Sequence, residues 1–419
     1  MSNALTGLKV LELSQNAAIP TCGRLLAGLG ADVVKVEPPG GDAMRFLASL
    51  VENEGRGFAT LNPQKRTVTL DLSLEASQPV VEEMFRWADV ALVAFKQADL
   101  DRYQISWEHA RLINPQIVHL TLSAFGPEGP DAALGGYDAL VQAMSGLGFL
   151  MNRAETGTPQ TTRPAIIDMS TGIMSAFAVM VALRHRDLTG EGQRVDTSLL
   201  GTAMTLGIPM LSRFERFDEE PIAELQEDLA SLRAAGVDFA TQRRTYEERV
   251  IGAGVAFQLY FRPYQTSDGL ISIAGLSATL ISRFHDITGL PRPASADPTD
   301  PQVRQLISDA EALFATRSSE DWIAELRDRG LPCTRYNAPY EALEEPQVLD
   351  NDYLVELDHP QFGQYKTVGM PARFSAFDDV AITEPSPSYG QHTLEFLAEI
   401  GFSSKAIAGL VNDGVAYGE

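Results

Sequence analysis

Residues 8 to 37 constrain the fold of this chain more than any other stretch. Leu8 to Ser14 (LKVLELS) is a short, mostly apolar run of strand length. Pro20 to Leu29 reads as a short helix, with Pro20 suited to its first turn and Gly30 to its C-terminal stop. Ala31 to Glu37 (ADVVKVE) reads as a second strand. Strand, helix and strand within about thirty residues make a βαβ unit, and that unit requires a parallel sheet. Further strands are expected at Thr67 to Leu72, Val90 to Phe95 and Ile117 to Phe125, with helices at Pro79 to Trp87 and Tyr137 to Leu147. The alternation predicts a doubly wound α/β domain, mostly parallel and Rossmann-like. The phosphate-cradling G-x-G-x-x-G is absent after the first strand, which removes the main support for a nicotinamide cofactor.

In such a fold ligands sit beyond the carboxyl ends of the strands. Ala17, Ser73, Phe95 and Tyr137 are expected there. Asp168 is the other residue of interest. It follows a short apolar run and opens a helical pattern with apolar residues at Ile173, Ala176, Phe177, Met180, Val181 and Leu183. Backbone N–H groups and the dipole at that helix N-terminus are expected to hold its carboxylate ionised. An ionised carboxylate in a partly dry site serves as a covalent nucleophile. Within this segment alone an N-cap is the simpler role for an aspartate.

The rest of the chain divides by pattern. Residues 1–210 are expected as the large domain and 211–250, rich in charge, as a helical linker. Residues 251–345 are expected as a smaller α+β domain, with a hairpin at Tyr264 to Ala274 turning on Asp268-Gly269. Residues 346–419 are expected to return to the large domain. The formal net charge of −23 argues against nucleic acid or an anionic membrane as partner. No apolar run is expected to span a bilayer, and residues Met1 to Thr6 carry no secretory pattern. Two widely separated cysteines, Cys22 and Cys333, point away from a disulfide scaffold and toward reducing cytoplasm. None of the six histidines sits at metal-ligand spacing, so no metal is expected.

Several segments together resemble the class III CoA-transferases, the group of formyl-CoA transferase, carnitine CoA-transferase and α-methylacyl-CoA racemase. They are Leu8 to Ser14, the run Gly30 to Asp42 (GADVVKVEPPGGD), Lys65 to Leu72 (KRTVTLDL), Gly135-Gly136-Tyr137-Asp138, the Asp168…Gly172…Ala176 spacing, Thr189 to Gln193 (TGEGQ), Tyr264 to Gly269 and Asp358-His359-Pro360. Each is weak, and their order over nearly the whole chain carries the resemblance.

The resemblance implies an acyl-CoA:carboxylate CoA-transferase acting on an acyl-CoA and a small carboxylic acid. Asp168 falls on the family's nucleophile, which forms a covalent aspartyl intermediate. It also implies an interlinked dimer, here expected as a homodimer. Ala17, Ala18, Leu70, Ser73, Phe95, Arg102 and Tyr137 match positions around coenzyme A, with Arg102 near its phosphates. Gly252 and Gly254 match a glycine-rich loop over the aspartate, or form a plain flexible turn. Some polar contacts of formyl-CoA transferase are replaced: a glutamine by Ala17, an arginine by Pro38, an asparagine by Ala94, and lysines by Ser73 and Gly135. Arg45 and Arg56 are either exposed or candidates for a substrate carboxylate. Two alternatives are a 2-methylacyl-CoA racemase and a non-catalytic CoA-binding subunit of a hetero-oligomer. The racemase is disfavoured because Tyr137 stands where a histidine base is needed, and a phenol is a poor base near neutral pH.

Overall fold

The computed structural model describes residues 3–152, 157–249, 255–297, 300–377 and 380–418. The chain forms two compact units: one of residues 1–152, 160–212 and 347–419, the other of residues 153–159 and 213–346.

The first unit is built on a seven-stranded sheet. Its strands are β1 (Lys9–Leu13), β2 (Asp32–Glu37), β3 (Arg66–Leu70), β4 (Val90–Val93), β5 (Val118–Ser123), β6 (Gln193–Ser198) and β7 (Ala416–Tyr417). The order is β7-β3-β2-β1-β4-β5-β6. Pairings from β3 through β6 are all parallel, and only β7 runs antiparallel, on the β3 edge. This is the doubly wound order, with its direction reversing between β1 and β4. Successive strand residues face opposite sides, and both sides are covered, which explains why these strands read as nearly continuous apolar runs. Val10, Val33, Val90, Leu92, Val118 and Leu120 pack beneath one layer of helices. Leu11, Val34, Val36, Val68, Ala91 and Val93 pack on the other side with Val80, Phe85, Phe396 and Leu397.

On the first side lie helices α1 (Ala18–Gly28) and α3 (Ile166–Thr189), with α2 (Asp138–Met144) and α4 (Leu199–Leu206) beside them. Gly190, with φ of 75°, ends α3 in the left-handed conformation open to glycine. Helices α1 and α3 approach so closely that a Cβ on Gly172 would stand 2.5 Å from the Ala18 carbonyl oxygen and from Thr21 Cβ. One expectation is corrected here. Helix α3, at 24 residues, is long and apolar enough to cross a bilayer. Its polar start and small residues broke up the apolar run in the sequence. In the fold Ile167, Thr171, Gly172, Ser175, Val179, Ala182 and Leu183 are buried, while Ile173, Phe177, Met180 and Val181 are exposed.

Charge inside this unit is concentrated under the ends of β1 and β2. Glu12 and Lys35 are cross-strand neighbours and fully buried. Lys35 pairs with Glu12 at 3.1 Å and with Asp42 at 2.9 Å, and Lys65 reaches Glu12 at 2.8 Å. Gly23 makes room for the Glu12 carboxylate, since a Cβ there would lie 2.1 Å from Oε2. Arg45 is also fully buried, bonded to Glu37 and Glu54 and stacked on Phe58. It is therefore neither exposed nor free for a substrate, because two carboxylates occupy its guanidinium.

The second unit has its own core around Tyr264, Ile271, Phe284, Phe314 and Trp322. Phe261–Gln265 and Leu270–Ala274 form the hairpin, and Cys333–Arg335 completes a three-stranded sheet. Glu215–Ala234 and Phe239–Arg249, within the stretch read as a linker, are helices of this unit.

Candidate active site

A cleft of about 830 Å³ opens where the strand order reverses, at the carboxyl ends of β1, β2, β3, β4 and β5. Its walls come from the loop after β1 (Ser14 to Ala18), Pro38 and Pro39 after β2, Leu70 to Ser73 after β3, Ala94 to Gln97 after β4, Gly135 to Tyr137, and Asp168. Strand ends that belong to distant parts of the sequence thus meet at one site, all of it within the first unit.

Of the residues singled out in the sequence, Ala17, Ala18, Leu70, Ser73, Phe95, Tyr137 and Asp168 line this cleft. Arg102 does not: it is exposed on a short helix, with its guanidinium 5.4 Å from the Tyr103 ring centroid. Gly252 and Gly254 lie outside the described residues. Tyr137 is 65% exposed, so its ring is a wall of the cleft and not a core tyrosine.

Asp168 lies in the first turn of α3, two residues after Ile166, and Ala165 takes the cap position. It is therefore not an N-cap. The helix amides without an intrahelical partner are taken by Asp138, whose Oδ2 accepts the N–H of Ile167 at 2.8 Å and the N–H of Asp168 at 3.1 Å. The other Asp138 oxygen accepts from Gln142. Asp138 is thus the anion held by the helix N-terminus, and the expectation that those amides keep Asp168 ionised is reversed. Burial, reinforced by the Asp138 charge, pushes the Asp168 carboxyl up to about 6. The Gly-Gly-Tyr-Asp segment drew attention for its tyrosine; the aspartate beside it makes the structural connection.

Two cations border the cleft. Arg194 is paired with Asp196 at 2.9 Å. Lys96 is exposed and makes no ion pair among the described residues. Its side chain lies over Gly135, where a Cβ would stand 2.9 Å from Lys96 Cε. Lys96 thus occupies, from the loop after β4, the space beside Gly135. Lys96 follows the apolar Phe95 and carries no sequence signal of its own. Among the described residues no group of three or more His, Cys, Asp or Glu is arranged to hold a metal ion.

Comparison with known proteins bears on the chain as a whole. Residues 5–393 match the family described as CoA-transferase family III. The chain is 29% identical to the formyl-CoA:oxalate CoA-transferase of Streptomyces avermitilis, over 99% of this chain and 100% of that protein. It is 28% identical to an acyl-CoA transferase of Fusarium pseudograminearum, over 98% of this chain and 88% of that one. Among solved structures, a CAIB/BAIF family protein from Brucella suis superposes with a TM-score of 0.74 at 26% identity, covering 96% of this chain and 100% of that chain.

Proposed function

The chain belongs to CoA-transferase family III, and on that premise we propose that it moves CoA from an acyl-CoA donor to a free carboxylic acid through a covalent intermediate on Asp168. The observation that carries the proposal is Asp168 itself: a carboxylate on a helix turn, facing a cleft of about 830 Å³, with a raised pKa and no cation paired to it among the described residues. A carboxylate left unpaired and partly desolvated is a stronger nucleophile than one held in an ion pair. The first step forms an anhydride between the acyl group and Asp168 and releases CoA as its thiolate. The thiolate then makes an aspartyl-CoA thioester, which the incoming acid converts to a new acyl-CoA.

CoA fills the cleft from its rim. Phe95, Leu70 and Tyr137 supply apolar wall for its pantetheine and adenine portions, and Lys96 meets the phosphates in place of Arg102. The acidic net charge makes this local cation more important, since the surface as a whole repels a polyanion. Two copies of this chain pair through the exposed apolar face of α3. The donor and acceptor in the S. avermitilis relative are formyl-CoA and oxalate; an acyl-CoA and a small acid are the corresponding substrate classes here.

The test is a panel of acyl-CoA donors and free acids, read by mass spectrometry of the CoA products. A new acyl-CoA that depends on both donor and acid, together with hydroxylamine modification of Asp168 alone, is the expected result. Labelling that maps to another carboxylate would sink the assignment.

A further inference from the structure

The loop between β1 and α1 crosses the floor of the cleft, and it is held from below at two points. Lys35 Nζ donates to the Ser14 carbonyl at 2.7 Å. The Asn16 N–H donates to Asp42 Oδ1 at 3.3 Å. Both anchors belong to the same buried cluster, since Lys35 is itself paired with Asp42 and Glu12. Between the anchors the backbone turns through an uncommon conformation: Asn16 has φ of 69°. Asparagine tolerates the left-handed region better than most residues, yet glycine would fit it without cost. Of the described non-glycine residues with such a φ, Asn16 alone lines the cleft. Asn16 lines the cleft together with Asp168, and its carboxamide has no hydrogen-bond partner among the described residues. The loop it belongs to leads directly into α1, whose Ala18 and Thr21 abut α3 one turn beyond Asp168.

We propose that Asn16 is a catalytic residue, its carboxamide N–H donating to the thioester carbonyl oxygen as Asp168 attacks. This deepens the transferase reading above and rests on it. In that step an Asp168 oxygen bonds to the carbonyl carbon and the carbonyl oxygen takes up the negative charge. The charge returns as the carbon–sulfur bond breaks, CoA leaves as thiolate, and the acyl group remains on Asp168 as an anhydride. No proton moves. A fixed donor aimed at the oxygen stabilises the charge only while it exists, so the gain falls on the rate and not on ground-state affinity. The buried ions serve this directly. They hold the loop's backbone, so the carboxamide has only its own side-chain rotation to settle at the moment of reaction.

The experiment compares Asn16→Gly, Asn16→Asp and wild type with the donor and acid that the wild-type protein uses. Asn16→Gly keeps the backbone conformation and removes the donor. Asn16→Asp keeps size and shape but puts a negative charge beside the developing one. The expected result is a fall in kcat of about a hundredfold for Asn16→Gly. CoA affinity by titration calorimetry should stay within about twofold, a change of well under 1 kcal/mol. Asn16→Asp should fall further while its thermal midpoint stays at the wild-type value. Wild-type kcat in either variant overturns the proposal and leaves the transferase reading standing. A loss carried by CoA affinity and not by kcat overturns it too, since Asn16 would then serve binding alone. Loss of the transferase reading itself shows separately, as wild-type protein that forms no new acyl-CoA.

Discussion

Asp138 caps the helix that carries Asp168: its Oδ2 takes the Asp168 N–H at 3.1 Å, so the two carboxylates are joined through one backbone amide. The helix dipole is spent on Asp138, and the charge so fixed faces the nucleophile. Replacing Asp138 by Asn keeps a carbonyl acceptor for the amides and removes the charge. The acid limb of the kcat/KM profile should then move to lower pH, by about half a unit or more. Asp138→Ala should add a loss of stability of about 1 kcal/mol, the usual cost of a missing cap. An unmoved acid limb in Asp138→Asn would show that the charge has no part in tuning Asp168.

Asp168→Asn should abolish transfer and at the same time stabilise the protein. The folded-state pKa is raised from 3.8 to about 6. Stability that this group contributes is fully present below pH 4 and lost as pH rises through about 6, so the wild type carries a penalty at neutral pH. The variant removes it. At pH 8 it should be more stable by about 2 kcal/mol, and the two proteins should converge near pH 3. Chemical denaturation at both pH values measures this.

Lys96→Ala should weaken CoA binding about fivefold, the value of a partly exposed ion pair. Arg102→Ala should change it by less than about twofold, well under 1 kcal/mol, because that side chain stands outside the cleft. Calorimetry at two salt concentrations gives the check: the salt dependence should shrink in the first variant and not in the second.

Glu12→Gln should cost about 3–5 kcal/mol at pH 7, because it leaves buried Lys65 beside a neutral amide and Lys35 with Asp42 alone. Burial, partly offset by Glu12, already holds Lys65 down at about 8, so its charge is the easiest in the cluster to discharge. The deficit against wild type should therefore narrow toward pH 9, where Lys65 is neutral in both proteins. An equal deficit at pH 7 and pH 9 would mean that Lys65 does not respond to Glu12.

A charge on the outer face of α3 should break pairing between copies. Phe177→Glu, at a position 64% exposed beside Ile173, Met180 and Val181, should convert a dimer to monomer in sedimentation velocity while leaving the circular dichroism spectrum unchanged. Identical sedimentation of variant and wild type would contradict this use of the face.

The parallel sheet was legible because its strands are buried on both faces, which leaves apolar runs such as Val10 to Leu13 and Val90 to Val93 with little ambiguity. The loop positions Ala17, Ser73, Phe95 and Tyr137 could be placed for a related reason. Once strand order is known, the carboxyl ends define the crevice. Charge defeated the same reading. Glu12, Lys35 and Arg45 look like surface residues until their partners, supplied from Asp42, Glu54 and Lys65, are brought together by the fold. Asp138 and Lys96 were missed because each acts through a neighbour in space: a helix amide of residue 168 in one case, the empty side of Gly135 in the other. That α3 is apolar enough to cross a bilayer was missed because Asp168, Ser170, Thr171 and Gly172 interrupt the apolar pattern where the helix has already begun.

Phe396 and Leu397, which close one side of the sheet, come from a helix that follows the entire second unit in the chain. Synthesis is vectorial, so β1 to β6 leave the ribosome long before that helix exists. At ordinary translation rates the delay is on the order of ten seconds, much longer than collapse takes. During that interval the apolar side formed by Val34, Val36, Val68 and Leu70 is uncovered in part and open to other nascent chains. A lower growth temperature or added holdase chaperones should therefore raise the soluble yield of this protein, by protecting a half-built sheet whose cover is made only after the second unit.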